Sequence, residues 1–537
     1  MTTRSRPWLA AALAAACTAV GGTERLGAHR RAITTSAMAA QDAFDAGLLY
    51  CYGFNHDEAV RCFERAAQLD PRCAMAQWGI AYALGPNINM PMTDAAVARR
   101  AHAAAQRAQS LAAAGTPVER ALIGALVHRY ADPPPDDRSA LDRAYADAMR
   151  VVQQQFPDDA DVAALFAEAM LDLAPWDQWT KDGKPKPGTE EIIAVLERTL
   201  ARHPDHPLAL HLYIHATEAS PQPARALTAA ARLPAVAPGL GHLVHMPAHT
   251  YQRVGRYREA LRSNLDGAAL DAAYFAASGP VGIYHAYHSH NLHFAAYSAM
   301  FLGDHATADA AARQLVATIP PDLLLAMPAL FDGWIAVPQE VRIRFGRWQE
   351  VLAEPEPAER FPVARALHCF ARGVALANLG DLDGAAREQQ AFAAAVAAVP
   401  ATATIGLTTA QPALKVARGM LAGELAFRSG DRARAFDELR KAVAAEDGLR
   451  YDEPPAWMMP VRHALGALLL EDSRYDEAEA VYRADLAQHP ENGWSLHGLA
   501  ECLRHGGSAQ ADAVAARFAA AWQYADVKLT GSCFCRR

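Results

Sequence analysis

Apolar residues recur at helical spacing through most of the chain beyond residue 42, interrupted by Pro, Gly and Asp, and strand-like alternation is scarce. The pattern predicts helices joined by short breaks. A longer period overlies it: Gly47, Tyr50, Glu58, Ala59, Phe63, Ala66 and Pro71 fall at positions 8, 11, 19, 20, 24, 27 and 32 of a 34-residue unit. Small residues at positions 8 and 20 let two antiparallel helices approach closely, larger ones at 11, 17 and 24 fill the seam, and the proline blocks further helix. The register returns in Gly255, Tyr257, Glu259 and Ala260, and in Gly466, Tyr475, Glu477, Ala478, Tyr482 and Pro490. Weaker copies run through Gly303 with Ala308, Gly346 with Trp348, Gly380 with Ala385 and Gly430 with Ala435. Residues 86–200 fit the register poorly but still read as helix pairs.

This unit resembles the tetratricopeptide repeat. The resemblance implies an all-α fold, a right-handed superhelical solenoid of stacked hairpins over residues 42–525, with each hairpin touching mainly its neighbours. It also implies that positions 2, 5, 9, 12 and 13 of each unit point into the concave groove. The expected divisions are a targeting or disordered segment 1–41, partly divergent repeats 42–200, His-rich repeats 201–320, C-terminal repeats 321–525 and a tail 526–537.

Twelve of the 21 histidines fall between His203 and His305. With Ala226, Ala260 and Ala308 at position 20, three units begin near 207, 241 and 289. His211, His215 and Glu218 then occupy groove positions 5, 9 and 12, His242, His245 and His249 occupy 2, 5 and 9, and His290 and His293 occupy 2 and 5. Residues three, four and seven apart share one helical face, so each set forms a stripe. Packed helices lie about 8–10 Å apart, which lets such stripes converge. The expected ligand is a divalent metal ion, with Zn, Fe, Cu and Mn not distinguished; either one ion with a histidine surround or two ions would fit. Glu218 is expected as a ligand or general base. Pro247 starts or kinks the helix between His245 and His249, which leaves their relative aim open.

An insertion of about 14 residues between Asp271 and Tyr284, with Tyr274, Phe275, Gly279 and Pro280, reads as a lid or a surface loop. It would deliver His285 and His288 as substrate-binding residues just before the third histidine helix. Arg253 at position 13 would hold an anionic substrate group or form a surface ion pair. Glu340, Glu424 and His463 add polar groups along the same groove, and Trp78 and Tyr82 form either an apolar wall or core packing.

Composition narrows the function classes. The chain is 52% hydrophobic and 20% charged, with 51 basic and 59 acidic residues and a net charge of −8, which gives no footing for nucleic acid. Eight cysteines without CxxC pairs point to neither a disulfide framework nor a zinc finger. The Arg-rich, acid-poor start with an apolar stretch near Trp8–Val20 reads as a signal or transit peptide, with a cytoplasmic protein as the alternative, and no later stretch is long enough to span a membrane. The zincin motif, a Gly-rich phosphate loop and a nucleophile elbow are all missing from the sequence.

The stretches Phe54-Asn55-His56-Asp57-Glu58-Ala59, Cys73-Ala74-Met75-Ala76-Gln77-Trp78-Gly79, His245-Met246-Pro247-Ala248-His249 and His290-Asn291-Leu292-His293 resemble a bacterial family of long tetratricopeptide-repeat proteins. Glu453-Pro454-Pro455-Ala456-Trp457 and Asn492-Gly493-Trp494 extend the likeness, and the histidine helices are similar to those of eukaryotic tetratricopeptide repeat protein 38. Three functions follow: a metal-dependent hydrolase or oxidoreductase acting on a small-molecule substrate, a scaffold that binds a peptide or protein in its groove without catalysis, and a metal carrier without turnover.

Overall fold

The computed structural model describes residues 26–91, 94–278, 282 and 284–536. The chain is all-α, a succession of antiparallel helix pairs; the two-residue strands Thr404–Ile405 and Thr408–Thr409 form its one small sheet among the described residues. No described helix is long and apolar enough to cross a membrane. Contacts group the chain into two compact units. The first comprises 1–250 with 266–284, and the second 251–265 with 285–537.

In the first unit, the Met38–Tyr52 helix pairs with His56–Leu69, Ala74–Ala83 with Ala95–Leu111, Ser139–Gln155 with Ala160–Leu171, and Thr189–Arg202 with Pro207–Glu218. The small residues do what the repeat pattern requires. A Cβ on Gly47 would lie 2.7 Å from the Phe63 ring, and one on Gly79 2.5 Å from the other flank of that ring. Phe63 thus fills a seam that only two glycines leave wide enough. The second unit repeats this around Tyr482, where a Cβ on Gly466 or Gly498 would lie 2.5 or 2.1 Å from the phenol. Its successive pairs include Pro362–Leu379 with Leu382–Ala398, Ala410–Arg428 with Arg432–Asp447, and Val461–Glu471 with Tyr475–Gln488.

The packed chain begins before residue 42. Residues 1–25, which carry most of the expected targeting segment, lie outside the described residues. Arg31, however, is buried and forks onto Asp159 at 2.9 and 3.1 Å while also reaching Asp161 at 3.0 Å. Its backbone N–H donates to Asp45. The C-terminal tail is likewise part of the second unit. Ser532 is buried between Tyr482, at 2.6 Å, and the His463 carbonyl, at 2.8 Å, and Arg536 forks onto Glu501. Cys533 and Cys535 are joined by a disulfide, a pairing that the absence of CxxC did not announce.

The expected loop after Asp271 is helical instead. Tyr257–Ser278 is one helix of 22 residues, which absorbs Tyr274 and Phe275, and Tyr284–Leu302 already contains His285 and His288. Gly279 and Pro280 lie outside the described residues. Tyr274 donates to Glu58 at 2.9 Å and accepts from Arg61 at 3.1 Å, so it braces the first hairpin.

Candidate metal centre

Three helical segments carry the histidines of the site in the first unit. Pro207 at the first helical position and the His206 ring, which accepts the Ala209 N–H at 3.2 Å, start the helix Pro207–Glu218. The Gly241–His245 helix follows, where Gly241 has no Cβ because one would lie 2.0 Å from Asp271. Pro247 ends that segment and starts Pro247–Arg253, but Met246 keeps α-helical dihedrals, so the turn continues and His245 still meets His249.

Five buried imidazoles converge here. Nε2 of His211 lies 3.0 Å from Nε2 of His215 and 3.1 Å from Nε2 of His242. Nε2 of His245 lies 3.0 Å from Nε2 of His249. The outer nitrogens have partners of their own. Nδ1 of His211 donates to the Tyr52 carbonyl at 2.8 Å, Nδ1 of His215 donates to Glu218 at 3.1 Å, and Nδ1 of His249 pairs with the other Glu218 oxygen at 2.6 Å.

These partners fix the tautomers. A carbonyl and a carboxylate only accept, so His211 and His215 each carry the ring proton on Nδ1. In the neutral rings both Nε2 atoms are then lone pairs, and they face each other at 3.0 Å. Such a contact is favourable when a shared proton or another cation lies between the two atoms. Burial first, and then the neighbouring His215, push His211 well below its ordinary value. His215 is lowered as well, chiefly by burial. Burial works to raise Glu218, but His249 and His215 outweigh it and hold the carboxyl at about 2, so the carboxylate is ionised. Imidazoles on a tetrahedral ion at about 2.0–2.1 Å would be spaced by roughly 3.3 Å, close to what is seen.

The cluster of His29, Asp161 and His206 looks alike by distance but is chemically different. The Asp161 carboxylate accepts from His206 at 3.1 Å and from Tyr52 at 2.6 Å, and His29 lies 3.0 Å away. Since Nδ1 of His206 is an acceptor, its Nε2 carries the proton, which makes this a donor-to-acceptor node with no lone pairs to bring together.

Aromatic rings line the three-histidine cluster. Phe54 stacks on His242 with centroids 5.1 Å apart and lies 4.6 Å from His211, and Trp176 meets His215 edge-on at 4.9 Å. Both have left-handed backbones, φ 57° and 60°. A bulky residue rarely sits there unless its surroundings hold it. The repeat register has no position that marks either ring as a site residue, although Phe54 belongs to a quoted motif.

Sequence expectation and placement differ for the remaining residues. Glu218 faces the outer nitrogens of two histidines, Nδ1 of His215 and Nδ1 of His249. His290 and His293 belong to the second unit, where His290 lies beside Phe294 and His293 beside Trp334. His293 is buried and pushed down to about 3 by desolvation. His285 and His288 are buried on the same helix. The Arg253 guanidinium lies 5.6 Å from the Tyr451 ring, a cation–π contact. Glu424 pairs with Arg428 at 2.9 Å, and His463 bridges Arg344 and Asp485, each at 2.8 Å. Trp78 and Tyr82 are buried and stack with centroids 5.0 Å apart, which is core packing.

No family model matches the chain, and no curated protein matches it. Among solved structures it is similar to an APC/C hetero-tetramer of Cut9 and Hcn1, with 14% identity over 86% of this chain and 76% of that chain and a TM-score of 0.32. The human IFIT1 dimer with PPP-AAAA is 13% identical over 90% of each chain, with a TM-score of 0.32. Yeast Tom70 is 11% identical over 89% of this chain and 92% of that chain, with a TM-score of 0.29. The chain is an all-α helical-repeat protein with a cluster of buried histidines in its first unit.

Proposed function

We propose that the first unit is a metal-dependent catalytic scaffold, with a divalent transition-metal ion held by Nε2 of His211, His215 and His242. The observation that carries this reading is the meeting of the His211 and His215 lone pairs, each fixed by an outer acceptor. Three imidazoles are one ligand short of a closed structural site, and an open position is what catalytic sites keep. Neutral ligands leave the ion its full charge, so when bound it would act as a Lewis acid on a water or a polarised substrate oxygen. The Tyr52 carbonyl and Glu218 orient the rings, and Phe54 and Trp176 keep bulk water from them. This favours hydrolytic chemistry on a small-molecule substrate.

The test is elemental analysis of untagged protein, as purified and after reconstitution with Zn2+ or Mn2+. Near-stoichiometric metal that is lost in His211→Ala and His242→Ala, with helicity kept by circular dichroism, supports the reading. Wild-type protein that holds no metal under either condition overturns it and leaves a groove-binding scaffold.

A further inference from the structure

The five imidazoles do not form one cluster with spare members. They close into a ring. Centroid separations run 4.8 Å from His211 to His215, 5.8 Å to His249, 4.9 Å to His245, 5.7 Å to His242 and 4.9 Å back to His211. Within the ring the Nε2 atoms gather at two places: His211, His215 and His242 at one, His245 and His249 at the other. The two long edges of the ring separate them. Across one of these edges sits Glu218, with one oxygen on Nδ1 of His215 and the other on Nδ1 of His249.

We infer that this ring is a two-cation centre, with a second divalent ion held at the His245–His249 pair and Glu218 as the carboxylate shared behind both sites. The inference rests on the metal reading of the first site. Its own support is that Glu218 faces an imidazole of each pair, Nδ1 of His215 with one oxygen and Nδ1 of His249 with the other. A carboxylate on Nδ1 leaves Nε2 of His249 as a lone pair, as it does for His215, and in each case that lone pair faces another Nε2 at 3.0 Å. Paired catalytic ions sit about 3.5–4 Å apart, and the rings that link the two groups have centroids 5.8 and 5.7 Å apart. One carboxylate cannot neutralise two dications, so the remaining positions would take water, hydroxide or an anionic ligand. The rival arrangement is simple: His245 donates an Nε2 proton to His249, and the pair holds nothing.

The experiment uses the full chain, stripped with chelator and titrated with Mn2+ alone, read by metal content and by electron paramagnetic resonance. Two ions per chain with a spin-coupled spectrum are expected. His249→Ala should keep one uncoupled ion, and Glu218→Gln should weaken both sites by about 10- to 100-fold. His245→Asn serves as a second test of the pair should His249→Ala fail to fold. Saturation at one uncoupled ion in wild type overturns the two-cation centre and leaves the first site standing. No bound ion at all removes the reading beneath it.

Discussion

At the scale of single residues, burial decides what each polar group can do. Arg31 is buried and balanced by Asp159 and Asp161, which lose their guanidinium partner if it is removed. Breaking a buried pair from one side costs about 3–5 kcal/mol, so Arg31→Ala should lower the urea midpoint clearly, whereas truncating exposed Arg202 should hardly move it. Glu340 shows the opposite case. Desolvation alone raises its carboxyl from 4.5 to about 8. A raised acid binds its proton more tightly in the folded state, so its contribution is complete below 4.5 and is lost as pH rises through about 8. Glu340→Gln should therefore match wild type near pH 5 and exceed it near pH 9 in denaturant midpoint. Equal midpoints at the alkaline end would show that the carboxyl is not desolvated.

At the scale of elements, the glycine-flanked aromatic rings are the clearest load on the packing. Gly498→Ala would place a methyl group 2.1 Å from the Tyr482 ring, between helices that have no slack. Overpacking of this kind costs about 1–3 kcal/mol. Chemical denaturation should show that loss, and Tyr482→Leu in the same chain should recover part of it, because the two changes share one contact. The Gly466 flank was legible from spacing alone, since position 8 needs a small residue where position 24 carries a ring; the Gly498 flank, supplied by the next helix, was not. The insertion after Asp271 was not legible, since its Gly and Pro suggested a loop while the flanking residues simply lengthen two helices.

At the scale of the whole molecule, a ligand that binds only the folded chain stabilises it by mass action. At 100 times its dissociation constant an ion adds about 2.7 kcal/mol, so chelator treatment should lower the melting temperature and Zn2+ or Mn2+ should restore it. His242→Ala should gain less than wild type from metal at the concentrations that stabilise wild type. The tail gives a separate expectation. Ser532, Arg536 and the Gly346–Phe534 contact tie it to the second unit, so deleting residues 527–537 should lower that unit's stability in limited proteolysis.

The amino-acid sequence by itself determined the helix pairs, the register that put small residues opposite rings, and the helices on which the histidines would stand. Those features depend on neighbours within about one repeat, and short-range spacing encodes them. Tertiary structure alone decided the direction in which each imidazole offers its lone pair. The carbonyl that fixes His211 belongs to Tyr52, 159 residues away, and the node that tethers Tyr52 draws on Asp161 and His206. A histidine's two nitrogens are equivalent in the sequence, and only an acceptor delivered by the fold makes one a donor and leaves the other to bind.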